Sequence, residues 1–339
     1  MGHSEFTSTG AISLPASLRL SAARRMVDAS GPARDRAAAS FLEAAPEHGI
    51  DLDLFWGVVG PDGQVAEAAL AVLGAGRTAM LFVSRPADGA DHPEARAESV
   101  RAACAGLQQR FGQRVVIAQG LPEPSEPWAE RAFRDAGFLH VGNLAYLSRP
   151  LRAVDAATAS QAHWPPGVAV RPLRTLARGS EDRRQLAEAM ERSYQSTLDC
   201  PELCGLRETE DVIDSHQATG RWTGSMWRLV TLRGQPEGCI LLNPSPAHRS
   251  VELVYIGLGP ALRGRGLGLR LLQDAIGAAA ARRKRDGADT ITCAVDRRNA
   301  PALRLYQRLG FREVSARLAF VRSLDPAPRS STFRPAHAD

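Results

Sequence analysis

The chain has 339 residues with ordinary fractions of hydrophobic (44%) and charged (23%) side chains, long enough for two domains of moderate size. Its net charge of +5 is diffuse, and its five cysteines are odd in number and scattered, which argues against a disulfide framework and a zinc site and points to reduced thiols. No run approaches the about 18 consecutive apolar residues needed to cross a bilayer, the start lacks a basic segment followed by an apolar one, and Phe6 stands where a myristoylation signal needs Ser or Thr. The expected protein is cytosolic, with no membrane partner.

Taken in chain order, Met1 to about Pro15 is rich in Ser, Thr and Gly without periodicity and is predicted to be disordered. The apolar run Met80–Pro86 predicts a strand, Glu94–Phe111 a helix, Val115–Gln119 a strand and Trp128–Ala136 a helix. An Ala-, Ser- and Thr-rich stretch then leads into Trp164-Pro165-Pro166-Gly167, which predicts a linker over 156–166. Beyond it come strands at Val168–Leu173, Trp227–Thr231 and Val251–Leu258, a helix over Gly266–Arg283, a strand at Thr290–Val295 and a helix over Pro301–Leu309. Asp325–Asp339 is again predicted to be disordered.

The two halves repeat one plan. Pro86 and Pro260 close apolar runs 174 residues apart, and Phe133 and Tyr306, each four residues before a Gly-Phe pair, stand 173 apart. Duplication accounts for both offsets and predicts domains at 16–155 and 167–324. The densest basic run, Arg282 to Arg285, ends a helix, where cations complement the negative end of the helix dipole; nucleic acid is therefore not an expected partner.

In the second half the strand ends at Gly259-Pro260, and Arg263-Gly264-Arg265-Gly266-Leu267-Gly268 follows at the entry to the next helix. Amides there have no internal partner and favour an anion, and glycine lets phosphates approach the backbone; glycines also serve ordinary strand-to-helix turns. A dinucleotide-binding motif is excluded because an arginine leads the pattern, and a P-loop because no Gly-Lys-Ser/Thr is present.

A strand, an R-x-x-G-x-G loop, a helix, a second strand and the segment Asn299–Phe311 together resemble the GCN5-related N-acetyltransferase (GNAT) superfamily. The tandem arrangement resembles mycothiol synthase-like acetyltransferases. The resemblance implies an α/β (α+β) fold of two tandem GNAT-like domains. Each is a mixed, twisted sheet flanked by helices, with two parallel strands that splay apart to admit the pantetheine arm of acetyl-CoA as co-substrate. It implies that the backbone of Ile256, Gly257 and Leu258 binds pantetheine and that the loop of Arg263, Gly264, Arg265, Gly266, Leu267 and Gly268 holds pyrophosphate. Asn299 and Tyr306 also contact the cofactor, with Asn299 equally suited to a helix cap.

The resemblance further makes Tyr306 the acid that protonates the departing thiolate, against a reading as a packing aromatic, and Glu252 the base. Strand alternation would put Glu252, Val254, Ile256 and Leu258 on one face; a carboxylate there could equally pair with a neighbour. Tyr194, Asp199, Glu202 and His216 are the expected acceptor-binding residues, with His216 a second candidate base, although solvated helix faces also explain polar groups there. No metal is called for. In the first half, Asp88 to Asp91 replaces the glycine loop with acids and Phe133 replaces the tyrosine, so that half reads as a pseudo-acetyltransferase domain. The implied activity is acetyl transfer to a primary amine of a small molecule or peptide by a monomer or homodimer. The alternative is a non-catalytic acetyl-CoA sensor.

Overall fold

The computed structural model describes residues 9–87, 91–158 and 163–325. In chain order the regular elements are β1 (Thr9–Ser13), α1 (Arg19–Met26), α2 (Gly31–Ala44), β2 (Phe55–Val59), β3 (Val65–Gly74), β4 (Thr78–Val83), α3 (Pro93–Phe111), β5 (Ile117–Gly120), α4 (Pro127–Asp135) and β6 (Leu139–Pro150). They continue with β7 (Val168–Pro172), α5 (Glu181–Tyr194), α6 (Thr209–Ala218), β8 (Trp227–Leu232), β9 (Gln235–Ser245), β10 (Ser250–Leu258), α7 (Leu267–Asp286), β11 (Thr290–Asp296), α8 (Ala300–Arg308) and β12 (Arg312–Ser323).

The chain forms two compact units: one runs to Val141 and takes in Leu318 onward, and the other spans Gly142–Arg317. The divide therefore falls inside β6, and again inside β12, rather than in the proline-bearing stretch that composition suggests. Much of that stretch is packed. Ala153–Thr158 form a helical turn, Arg149 pairs with Asp155 at 2.7 Å, and Ala156 and Trp164 pack on the core beneath α7; residues 159–162 lie outside the described residues.

In the first unit the strands run β1-β2-β3-β4-β5, and residues 320–323 of β12 pair antiparallel with β5. β4 and β5 are parallel, in register only over 78–80 and 117–119. Thr9–Ser13, expected to be disordered, instead pairs with β2, Ile12 opposite Gly57. A partner distant in sequence supplies order that local composition does not reveal. Met1–Ser8 and residues 326–339, the rest of the expected disordered ends, lie outside the described residues, as do Asp88 and Gly89 of the acidic loop.

The second unit has the strand order β6-β11-β10-β9-β8-β7, parallel only between β10 and β11. Alternation sorts its strands onto two cores: Ile240 and Leu242 face Leu272 and Ile276 of α7, whereas Cys239 and Leu241 face Leu186 and Met190 of α5. α5 starts at Ser180, whose hydroxyl caps Arg183 N–H, and it buries Leu186, Ala189, Met190 and Ser193, one helical stripe. A mixed α/β fold with a parallel strand pair in each half thus matches the expected class.

Trp56 of β2 lies so close to α3 that a Cβ on Gly106 would stand 2.4 Å from its Cζ2. Gly106→Ala should therefore lower the free energy of unfolding by about 1–3 kcal/mol despite the better helix propensity of alanine. Urea denaturation checks this, and an unshifted midpoint would contradict it.

Candidate active site

Three local features shape the opening in the second unit. The first is the parting of its parallel strands. β10 and β11 pair only at Ser250–Thr290, Val251–Ile291 and Glu252–Thr292, yet β10 stays paired with β9 out to Leu258 and β11 with β6 out to Asp296. Beyond Glu252 the edges of the two strands separate, and the backbone of Ile256, Gly257 and Leu258 borders the gap. The second is a bulge in β10. Leu253 pairs with Leu242 and Tyr255 with Leu241, so Val254 is an extra residue. It reverses the alternation: Val254 and Tyr255 pack with the α5 core, whereas Ile256 and Leu258 pack with the α7 core. The expected common face for Glu252, Val254, Ile256 and Leu258 is therefore wrong, because uniform alternation cannot anticipate an inserted residue.

The third is the mouth of α7. Its N-cap, Gly266, has φ 72°, no side chain caps the helix, and the first turn contains no acid. Gly264 (φ 73°) and Gly266 face open space, with nothing within 4 Å of where a Cβ would sit. Residues 263–266 are exposed, Leu267 is buried and Gly268 is half-buried. Open amides at an uncapped, positive helix end fit an anionic group such as pyrophosphate.

Arg263, expected on that anion, is directed elsewhere. Its Nε donates to the Leu258 carbonyl at 2.8 Å, Nη1 to the Gln195 carbonyl at 2.7 Å and Nη2 to the Ser193 carbonyl at 2.7 Å. The last carbonyls of α5 lack helical partners, and the guanidinium fork satisfies them while tying them to the end of β10. Arg265 is exposed. Asn299 takes the capping role, its Oδ1 accepting from Ala302 N–H at 3.2 Å at the start of α8.

Tyr306 of α8 is 4% exposed, lies edge-on to Phe311 at 5.4 Å, and its hydroxyl is hydrogen-bonded to the Cys293 thiol. Burial pushes the tyrosine well above its ordinary pKa and the Cys293 thiol up to about 12, so both hold their protons at neutral pH. Glu252 is half-buried, and burial raises its carboxyl against the opposing pull of His248.

The expected acceptor residues separate into two groups. Tyr194 and His216 line an aromatic wall with Tyr255: the Tyr194 and Tyr255 rings meet at 6.2 Å, His216 lies 5.7 Å from Tyr255, and the Tyr255 hydroxyl is 2.6 Å from Ser193 Oγ. Burial, with Arg207 nearby, holds His216 down to about 4, so its ring is neutral and too weakly basic to compete with Glu252 for a proton.

Asp199 and Glu202 instead anchor the segment after α5 to the end of β11. Asp199 accepts from Asp296 N–H at 2.7 Å, and Cys200 N–H donates to buried Asp296 at 3.2 Å. Arg298 bridges Glu202 at 2.8 Å and Asp296 at 2.6 Å. Arg298 holds Glu202 below the usual carboxylate range; burial pushes Asp296 up, but Arg298 and the backbone donors outweigh it and hold it low. A cationic amine at Glu202 would have to displace Arg298. The Asp199 carboxyl is raised, by burial first, with Asp296 adding repulsion against the backbone N–H; it lies within electrostatic reach of Tyr306, Tyr255 and Cys293. Sequence reading missed Ser193, Tyr255, Asp296 and Arg298. Tyr255 was hidden by the bulge, and Arg298 lies two residues past a strand end with nothing local to mark its partners.

Residues 187–311 match the family model described as acetyltransferase (GNAT) family. The chain carries a GNAT acetyltransferase domain. Among solved structures, a GCN5-related N-acetyltransferase from Sphaerobacter thermophilus is similar over 97% of this chain and 98% of its own, with 22% identity and a TM-score of 0.52, which shows a shared fold across both halves. Further matches are a tandem GNAT protein from the clavulanic acid biosynthesis pathway (14% identity, 81% of this chain and 83% of its own, TM-score 0.45) and a GCN5-related N-acetyltransferase from Kribbella flavida (13%, 79% and 90%, 0.46). None of the curated proteins compared with it matches in sequence. Among the described residues no helix is long and apolar enough to cross a membrane, and no group of His, Cys, Asp and Glu could hold a metal ion.

The depressed His216 predicts an acid-sensitive GNAT domain. Unfolded, its imidazole binds a proton below about 6.5; folded, only below about 4. Between those values the unfolded state holds the extra proton, so stability is complete above pH 6.5 and declines as pH falls toward 4, by up to about 3 kcal/mol. Denaturant titrations of wild type and His216→Asn across this window check it; identical slopes with pH would contradict it.

Proposed function

We propose that the protein is an acyl-CoA-dependent N-acetyltransferase in which acetyl-CoA lies in the gap between β10 and β11 and gives its acetyl group to an amine bound against Tyr194 and Tyr255. The observation that carries this reading is the combination of a parted parallel strand pair with an open, glycine-lined, uncapped helix end beside it. The amides of residues 264–268 would hold the pyrophosphate, and the free edge of β10 at Ile256–Leu258 would pair with the pantetheine amides.

Transfer would proceed by direct attack in a ternary complex. The neutral amine nitrogen forms a bond to the thioester carbon, the carbon–sulfur bond breaks, and the sulfur takes a proton from the Tyr306 hydroxyl. A raised pKa keeps that proton in place until the thiolate forms. The amine proton leaves to the Glu252 carboxylate through water. The acceptor is a primary amine of a small molecule or peptide, with an apolar or aromatic body to match the aromatic wall, and the site of action is the cytoplasm.

A second reading, an acetyl-CoA sensor without catalysis, draws on the depth of Tyr306 and its bond to Cys293, which also suit a packing role. A screen of primary amines against acetyl-CoA, followed by free-thiol release, separates the two. The enzyme reading predicts that Tyr306→Phe slows release roughly 10–1,000-fold while affinity for CoA is kept. It also predicts that wild-type kcat/KM rises with pH as the raised Glu252 carboxyl ionises, with that limb lost in Glu252→Gln. Release from no amine in the screen, or full turnover by Tyr306→Phe, would favour the sensor.

A further inference from the structure

The first unit contains an apolar cleft that the acetyl-transfer reading does not use. Its volume is about 310 Å³, and it opens at the edge where β4 and β5 part beyond their short register, lined from one face of the sheet by residues of α1 and α2 and from the other by residues of α4. Leu70 and Val72 of β3, Leu81 and Val83 of β4, Phe41 of α2 and Phe133 of α4 supply much of the wall. A space this size is too large for a packing flaw in a close-packed interior, and apolar cavities of about half that volume already take up small hydrocarbons.

The polar groups of the lining are engaged. Arg85 stands 3.7 Å from Glu126 and 3.4 Å from Asp28, with its guanidinium 5.3 Å from the Trp128 ring centre, so the cation at the rim already faces two carboxylates. Phe133 occupies the place in the repeat that Tyr306 holds in the second half, and its ring approaches Gly120 so closely that a Cβ there would stand 2.4 Å from Cζ. The position thus presents a hydrocarbon surface to the cleft where the other half presents a hydroxyl. Phe82, also in the lining, is 49% exposed, which continues the apolar surface outward.

We infer that this cleft is a binding site for an uncharged apolar ligand, of the size of a medium-length aliphatic chain or a two-ring aromatic group. Paired charges at its rim and the hydrocarbon wall select against phosphate-bearing or ionic ligands.

The test uses the full chain. N-phenyl-1-naphthylamine should bind saturably at one site per chain, be displaced by 1-decanol, and bind equally well with the second unit saturated by CoA. A diazirine analogue of decanol should label peptides within 70–83 and 121–133. Ala129→Phe and Val72→Phe, each filling the cleft from a different element, should weaken the dye at least tenfold without lowering the unfolding midpoint. Should both variants misfold, the wild-type labelling pattern decides. Absence of saturable binding, loss of the dye with CoA, labelling confined to other peptides, or undiminished binding in both folded variants would overturn the site.

Discussion

Everything about the second half turns on where two parallel strands stop pairing. Parallel neighbours usually stay hydrogen-bonded along their shared length, because backbone donors and acceptors left without partners are costly when removed from water. Here β10 and β11 let go after Glu252 and Thr292, while each keeps its outer neighbour to the end. The unpaired edge this leaves on β10 is a strand-like template, and a ligand bearing amides along an extended arm can complete it.

The parting is held open from both rims. On the β10 side, Val254 is inserted as a bulge, which raises local twist, and Arg263 fixes the end of the strand to the carbonyls that finish α5. On the β11 side, Asp296 is buried yet fully engaged by Arg298 and by backbone donors, and Asp199 and Cys200 lock the segment after α5 onto it. A buried carboxylate is tolerable only with such partners. The arrangement places Tyr306 and Cys293 on one side of the sheet and the Tyr194, Tyr255 and His216 wall on the other.

Much of this was legible in the sequence, for physical reasons. Apolar runs closed by proline, helical stripes and a fixed offset between halves depend on local period, and they located β4, α3, α4, β10, α7, β11 and α8 within a few residues. The glycines at 264 and 266 were legible because left-handed backbone at a helix mouth calls for that residue. What local sequence could not carry was anything fixed by a distant partner. Thr9–Ser13 became a strand through β2, Arg263 turned to α5, Glu202 was neutralised by Arg298, and the unit boundary moved into β6 and β12 because residues far apart in sequence share a sheet. The bulge at Val254 is the subtlest case, since one inserted residue changes the side of the sheet on which every later one falls.

The central claim is that main-chain amides at the mouth of α7 grip the diphosphate of a CoA thioester. Isothermal titration of acetyl-CoA into wild type and Gly266→Val tests it most directly, because a branched side chain is strained at φ 72° and would stand between the amides and the ligand. The account predicts one site per chain in wild type and a loss of at least a hundredfold in affinity for the variant, with the urea midpoint shifted only modestly. No heat of binding from wild type, or equal affinity in a folded Gly266→Val, would contradict it.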